Sequence, residues 1–293
     1  MMLLEWLKAV LYGIVEGITE WLPVSSTGHL ILLRDWLPFR FTEDARLLAE
    51  FGEMFEVVIQ LGAILAVVIL FFGRLWPFSR TKSREERAGT WSLWLKVIVA
   101  SVPAAFVGIV IDKLLEKLTS RDIDGWLYNS LVVAAALIVY GVAFILVERF
   151  NRGRMPRIER VEQIDYKTAL CIGAFQALSI VPGTSRSGST ILGSMLLGLS
   201  RTAGAEFSFF MAIPVMLGAS GLKFVKALVL DGVTFTADEW VLLAVATAVS
   251  FVVSLLVIRG LMAFIKKHSF KPFGWYRIAL GAVVLLCVAM NWL

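Results

Sequence analysis

GIVEGITEWLPVSSTGHLIL, residues 13–32, decides how this chain is read. The frame is apolar, yet it carries Glu16, Glu20, Ser25, Ser26, Thr27 and His29, one of two histidines in 293 residues. A charged side chain at membrane depth costs about 2.5–3.5 kcal/mol on insertion scales, so two carboxylates there ask for a purpose. Pro23, the hydroxyl run and Gly28 interrupt the stretch. Each half is then about 12–15 residues, too short to cross ~30 Å of hydrocarbon as a helix. The sequence therefore predicts a re-entrant helical hairpin over about 8–36, its polar tip inside protein or along a cavity.

Around that hairpin the chain is 58% hydrophobic and 17% charged, with a mean hydropathy of +0.80. A soluble domain carries roughly a quarter charged residues. Six further stretches are long and apolar enough to span a bilayer: about 54–73, 91–110, 130–148, 205–224, 239–258 and 273–292. The net charge of +5 sits in the connectors, which points to a lipid bilayer and not to nucleic acid as the partner. Cys171 and Cys287 lie in apolar segments without neighbouring ligands and read as small hydrophobes. Glu5 and the lack of a small-residue cleavage site argue against a removed signal peptide.

A second interrupted stretch, about 167–199, repeats the first at a shift of 160 residues. GAFQALSIVPGTSRSGSTIL, residues 173–192, places Gly173 on Gly13, Gln176 on Glu16, Ser185 on Ser25, Arg186 on Ser26 and Gly188 on Gly28. Three spans follow each copy. A hairpin plus three spans is an odd number of crossings, so the second copy enters the membrane upside down. The expected fold class is an all-α polytopic membrane protein: six transmembrane helices and two re-entrant hairpins in an inverted-topology repeat. The first repeat covers 1–150 and the second 160–293, joined by the linker 151–157.

Basic residues test this topology. Connectors 74–90, 149–167 and 259–272 hold five, six and four Lys/Arg, against three, three and one in 33–53, 111–127 and 225–238. The positive-inside rule puts the first set in the cytoplasm, so both the first hairpin and the C-terminus face outward. Pro103 and Pro214 are expected to kink their spans, and 112–118 to form an amphipathic surface helix. Glu53, Glu56 and Glu206 read as interfacial charges flanking the spans.

The chemistry collects at the two tips. Glu16 and Glu20 share one helix face, either wet near the interface or turned to a cavity. In a cavity they could hold a divalent cation, take a proton or act as general base. Ser25, Ser26 and Thr27 exceed what helix capping needs, and His29 adds a neutral-pH base. A hydroxyl beside a histidine or carboxylate is the arrangement of covalent transfer. In PGTSRSGST, 182–190, Gly183 and Gly188 allow a tight turn, and Thr184, Ser185, Ser187 and Thr190 supply hydroxyls. The helix that follows offers its N-terminal amides to an anion, and Arg186 has the planar fork suited to phosphate. An Arg186 pair with Glu16 or Glu20 is the structural alternative. His268, in a basic connector, reads as solvated.

The Glu16-x-x-x-Glu20 box, the SSTGH run and P-G-x-S-R-S-x-x-T at 182–190 closely resemble the undecaprenyl-diphosphatase family of the bacitracin-resistance type. The resemblance spans nearly the whole chain; the connectors at 74–90 and 149–167 are generous in length. It implies an enzyme of the bacterial inner membrane that hydrolyses undecaprenyl diphosphate, recycling the lipid carrier for peptidoglycan. The distal phosphate would sit against Arg186, Ser185, Ser187, the amides after Gly183, and Thr27. Ser26 would attack with His29 or Glu20 as base, or a water held by the glutamates would attack directly. Glu16 and Glu20 would hold Mg²⁺ or Ca²⁺. The site would open toward the outer face, with a homodimer left open.

Two other readings compete. Inverted repeats with broken helices also build secondary transporters, so a flippase for the lipid phosphate is the alternative. A phosphatase with a histidine nucleophile would need two histidines near the tips, and only His29 is there.

Overall fold

The computed structural model describes residues 2–119, 127, 129–226, 229, 232–290 and 292. Parts of connectors 111–127 and 225–238, and residue 291 of the sixth predicted span, lie outside the described residues. The regular structure among the described residues is helical, with one isolated bridge between Ile158 and Leu199.

Two short helices open the fold, α1 (Met2–Thr19) and α2 (Ser26–Trp36). They are followed by α3 (Ala45–Leu70), α4 (Phe72–Leu75), α5 (Arg84–Phe106), α6 (Asp112–Thr119) and α7 (Ser130–Phe150). A second short pair, α8 (Tyr166–Ala177) and α9 (Arg186–Leu196), precedes α10 (Arg201–Val225), α11 (Ala237–Ile265) and α12 (Lys271–Ala289). Six segments are long and apolar enough to cross a membrane: Arg46–Leu70, Arg84–Ile111, Ser130–Phe150, Arg201–Val225, Ala237–Ile265 and Lys271–Ala289. They overlap the six predicted spans one for one, and the chain is a multi-pass membrane protein. Its outer surface agrees: Leu65, Val139, Leu256 and Leu286 are 49–64% exposed, a lipid-facing pattern that water would not tolerate over so wide a surface.

The ends of these helices follow local chemistry. The first span begins well before residue 54, because the Asp44 side chain caps α3 by accepting from the Arg46 and Leu47 amides. An Arg46–Glu50 pair at 2.7 Å supports its first turns. Glu53 and Glu56 therefore lie inside α3 and not ahead of it. Capping boxes start α5 at Ser83 and α11 at Thr236. Pro103 and Pro214 both sit within continuous helix, and α5 passes into a π-type turn at Val107–Ile111. A helix does form at 112–119, where the amphipathic pattern predicted one.

Small residues bring the short helices against the spans. α1 packs on α11 and α8 packs on α5, while α7 pairs with α12 and α3 with α10. A Cβ on Gly13 would stand 2.5 Å from the Ala246 carbonyl oxygen, and one on Gly173 would collide with the Ala100 carbonyl. Glycine is what lets the backbones meet there. Two buried carboxylates away from the tips, Glu148 and Glu206, are paired. Glu148 accepts from both Arg201 nitrogens at 2.7 and 2.6 Å and from the Phe270 amide at 2.7 Å. Glu206 is not a loose interfacial charge: it is buried, and Arg74 bridges it to Glu162. Cys287 is buried and Cys171 half-buried.

Candidate active site

Each short helix pair turns at a serine held in an unusual conformation. Ser25 has φ 74° and Ser185 φ 69°, the two non-glycine residues with positive φ among those described. Both then cap the following helix, Ser25 Oγ accepting from the Gly28 amide and Ser185 Oγ from the Gly188 amide. A left-handed serine is strained by roughly 1–3 kcal/mol and persists only where its surroundings enforce it. The two turns are related by the same 160-residue shift that relates the sequences.

The tips meet. Arg186, at the start of α9, donates from Nη2 to Glu20 Oε1 at 3.0 Å and from Nη1 to the Ser208 carbonyl at 2.9 Å. Its guanidinium lies 5.9 Å from the Trp21 ring centroid. Ser187 Oγ donates to the Glu20 carbonyl at 3.1 Å, tying the second tip to the backbone of the first. The other oxygen of Glu20 accepts from Ser26 Oγ at 2.9 Å. One carboxylate thus joins a hydroxyl on its own tip to an arginine on the other.

Of the two bases expected for Ser26, the hydrogen bond goes to Glu20. His29 is occupied elsewhere: Nδ1 lies 2.7 Å from the Ser25 carbonyl oxygen and Nε2 2.7 Å from Tyr276 Oη. A carbonyl only accepts, so Nδ1 carries the proton and Nε2 of the neutral ring takes the Tyr276 hydroxyl. The two rings stack at 5.6 Å and 7°.

The second tip divides its hydroxyls between cradle and scaffold. Ser185 and Ser187 Oγ atoms are 3.1 Å apart at the mouth of α9. Thr184 Oγ1 donates to the Val181 carbonyl at 2.8 Å, and Thr190 Oγ1 to the Arg186 carbonyl at 2.9 Å. Those two hydroxyls are held by backbone carbonyls of the second tip. Gly183, at φ 91°, supplies the turn and packs on the Val133 backbone. Thr27 stands half-buried in the first turn of α2.

Glu16 is fully buried with neither carboxylate oxygen partnered, and its counterpart Gln176 is equally buried with both amide atoms unpartnered. A buried carboxylate in this state asks for a proton, water or cation. No group of three or more His, Cys, Asp or Glu side chains forms a metal cage among the described residues. Mg²⁺, however, is commonly held by one or two carboxylates together with substrate phosphates, and the free Glu16 carboxylate near Glu20 fits that pattern.

Sequence reasoning missed Arg277, Tyr276, Tyr140 and Ser208. Arg277 is fully buried and donates to the Pro23, Gly183 and Thr184 carbonyls. Tyr140 Oη accepts from Ser189 Oγ at 3.1 Å, and Ser208 Oγ lies 2.5 Å from Thr190 Oγ1. Only Arg277 left a sequence signal, as an arginine inside an apolar span.

Comparison with known proteins adds a second line of observation. Residues 9–283 match the family model described as bacitracin resistance protein BacA. The chain is 52% identical over 283 residues to undecaprenyl-diphosphatase 1 of Clostridioides difficile, covering 97% of this chain and 96% of that protein. It is 52% identical over 289 residues to an undecaprenyl-diphosphatase of Streptococcus thermophilus, covering 99% and 95%. A third relative, an undecaprenyl-diphosphatase of Enterococcus faecalis, is 50% identical over 278 residues, covering 95% of each chain.

Proposed function

The chain belongs to the bacitracin resistance protein BacA family, and from that premise we propose how its two tips carry out one reaction. The protein is an undecaprenyl-diphosphatase. It hydrolyses undecaprenyl diphosphate to undecaprenyl phosphate and orthophosphate, returning the lipid carrier to cell-wall synthesis. The observation that carries the mechanism is Glu20, which accepts from Ser26 Oγ at 2.9 Å and from Arg186 at 3.0 Å.

Ser26 Oγ attacks the distal phosphorus and its proton passes to Glu20 Oε2. The bond from that phosphorus to the bridging oxygen breaks, and undecaprenyl phosphate leaves. Glu20 hands that proton to the departing phosphate group, and is then free to take a proton from the water that attacks the phosphoserine; it passes this proton to Ser26 Oγ as orthophosphate departs. Arg186 and the amides at the start of α9 balance the charge spread over the equatorial oxygens. Ser185 and Ser187 line that cradle, and Thr27 approaches it from the first tip. His29, locked by Ser25 and Tyr276, orients the first turn of α2 behind Ser26. A divalent cation held by Glu16 and Glu20 would supply further charge neutralisation.

The architecture that suits this chemistry is the inverted repeat, with 1–150 and 160–293 as its halves and the two helix pairs as re-entrant hairpins. The left-handed Ser25 and Ser185, the unpartnered Glu16 and Gln176, and the reciprocal packing of α1 on α11 and α8 on α5 support it. The excess of basic residues in 74–90, 149–167 and 259–272 supports a site open to the outer face. The test is orthophosphate release from undecaprenyl diphosphate by the purified protein, with and without chelator. Turnover is expected, and its loss on chelation with recovery on adding Mg²⁺ or Ca²⁺ would place a cation in the site. Absence of turnover under all conditions would overturn the reading.

A further inference from the structure

Arg277 lies in the first half of α12, far in sequence from either tip, and is fully buried. No carboxylate stands within 4 Å of it among the described residues. Its guanidinium is spent on backbone carbonyls: Nη1 donates to Pro23 at 3.1 Å, and Nη2 to Gly183 at 2.7 Å and Thr184 at 2.9 Å. Pro23 and Gly183 are equivalent positions under the 160-residue shift. A single fork therefore bridges the two tips at matching points.

A buried guanidinium without a counter-ion is costly, and burial of a charge is ordinarily matched by a partner. Carbonyl oxygens take three hydrogen bonds from Nη1 and Nη2, Nε is buried without a partner, and the positive charge is left uncompensated. That charge lies directly under the anion cradle: a Cβ added to Gly188, in the first turn of α9, would be 3.1 Å from Arg277 Nη1. The Tyr140 ring lies 5.4 Å from the guanidinium. Turning the Thr184 carbonyl toward Arg277 leaves the Ser185 N–H, trans across the same peptide, pointing the opposite way. A lysine has neither the planar fork nor the reach in two directions to do this.

We infer that Arg277 is a positioning residue for the reaction. It fixes the spacing between the nucleophile tip and the phosphate cradle, and its unneutralised charge favours the diphosphate over the empty site. The inference rests on the diphosphatase reading, whose own failure shows separately as a wild-type protein that releases no phosphate.

Two variants separate geometry from charge. Arg277→Lys keeps the charge and loses the bridge, so kcat should fall about 100-fold with KM within about threefold, as expected when reacting groups are misplaced by about 1 Å. Arg277→Gln loses the charge as well, so the same fall in kcat should come with a KM for undecaprenyl diphosphate raised about tenfold. Both are assayed per folded molecule, from the thermal midpoint and the monodisperse fraction in detergent. Wild-type kcat per folded molecule in either variant would overturn the inference, as would parallel changes in KM for both. Failure of both variants to fold would also overturn it, leaving Arg277 as a structural clamp alone.

Discussion

Arg186 and Glu20 stand 166 positions apart in the chain and 3.0 Å apart in space. Both side chains are about nine-tenths buried, so the pair is shielded from water and neither partner is readily removed without exposing the other. Breaking a buried pair from one side typically costs about 3–5 kcal/mol. The pair also marks where two similar turns have been given different work. At the equivalent position of the two tips stand Ser26 and Arg186, one the proposed nucleophile and the other a cation.

Arg186→Ala should lower kcat/KM by at least about 10³-fold, the scale of an arginine that stabilises a transferring phosphoryl group. Arg186→Lys should recover little, because a compact ammonium lacks the planar fork whose two separate nitrogens reach Glu20 and the Ser208 carbonyl. Orthophosphate release from detergent-solubilised protein checks both, and near wild-type turnover in Arg186→Ala would remove the cradle from the mechanism.

Glu20→Gln keeps the shape of the contact with Ser26 but cannot take its proton. A loss of about 10²–10⁴-fold in kcat is expected, with the acidic limb of the pH profile abolished, since a carboxylate base works only when deprotonated. His29→Gln should cost far less, about tenfold, because the ring's nitrogens serve Ser25 and Tyr276. A larger loss at His29 than at Glu20 would reverse the assignment of the base.

Much of this was legible in the sequence. The six spans stand out because lipid demands apolar runs, and the two tips because Pro, Gly and hydroxyls interrupt such runs. The start of α3 was misplaced because Asp44 and Arg46 look like loop residues until their capping geometry is seen. The choice between Glu20 and His29 was not legible, since both lie within six residues of Ser26 and only side-chain direction separates them. Arg277 shows in the sequence as an arginine in an apolar span, but what it joins does not, because its partners Pro23 and Gly183 are 254 and 94 positions away. Repeats are readable along a chain; what sits between them is not.

Gly173→Val should destabilise the fold by about 1–3 kcal/mol, because the new side chain meets the Ala100 backbone with no room to move. Gly13→Val should act alike against Ala246, while Gly52→Val, with open space around it, should leave the thermal midpoint unchanged. Equal midpoints for all three would mean that α1 and α8 do not pack closely on α11 and α5.

A cysteine placed at position 292, in a chain whose Cys171 and Cys287 are changed to alanine, should react with an impermeant thiol reagent added outside intact cells. Labelling only after the cytoplasmic side is opened would invert the proposed orientation and put the site on the wrong face for it.

The most direct test of the central claim, that Ser26 is the nucleophile activated by Glu20, is the turnover of Ser26→Ala measured beside rapid-quench mass analysis of the wild type. The account predicts a fall of about 10³-fold or more in kcat for the variant, and phosphate on Ser26 in the quenched wild type. Turnover of Ser26→Ala within about tenfold of wild type, with no phosphoserine trapped, would contradict it and leave attack to a water held by the glutamates.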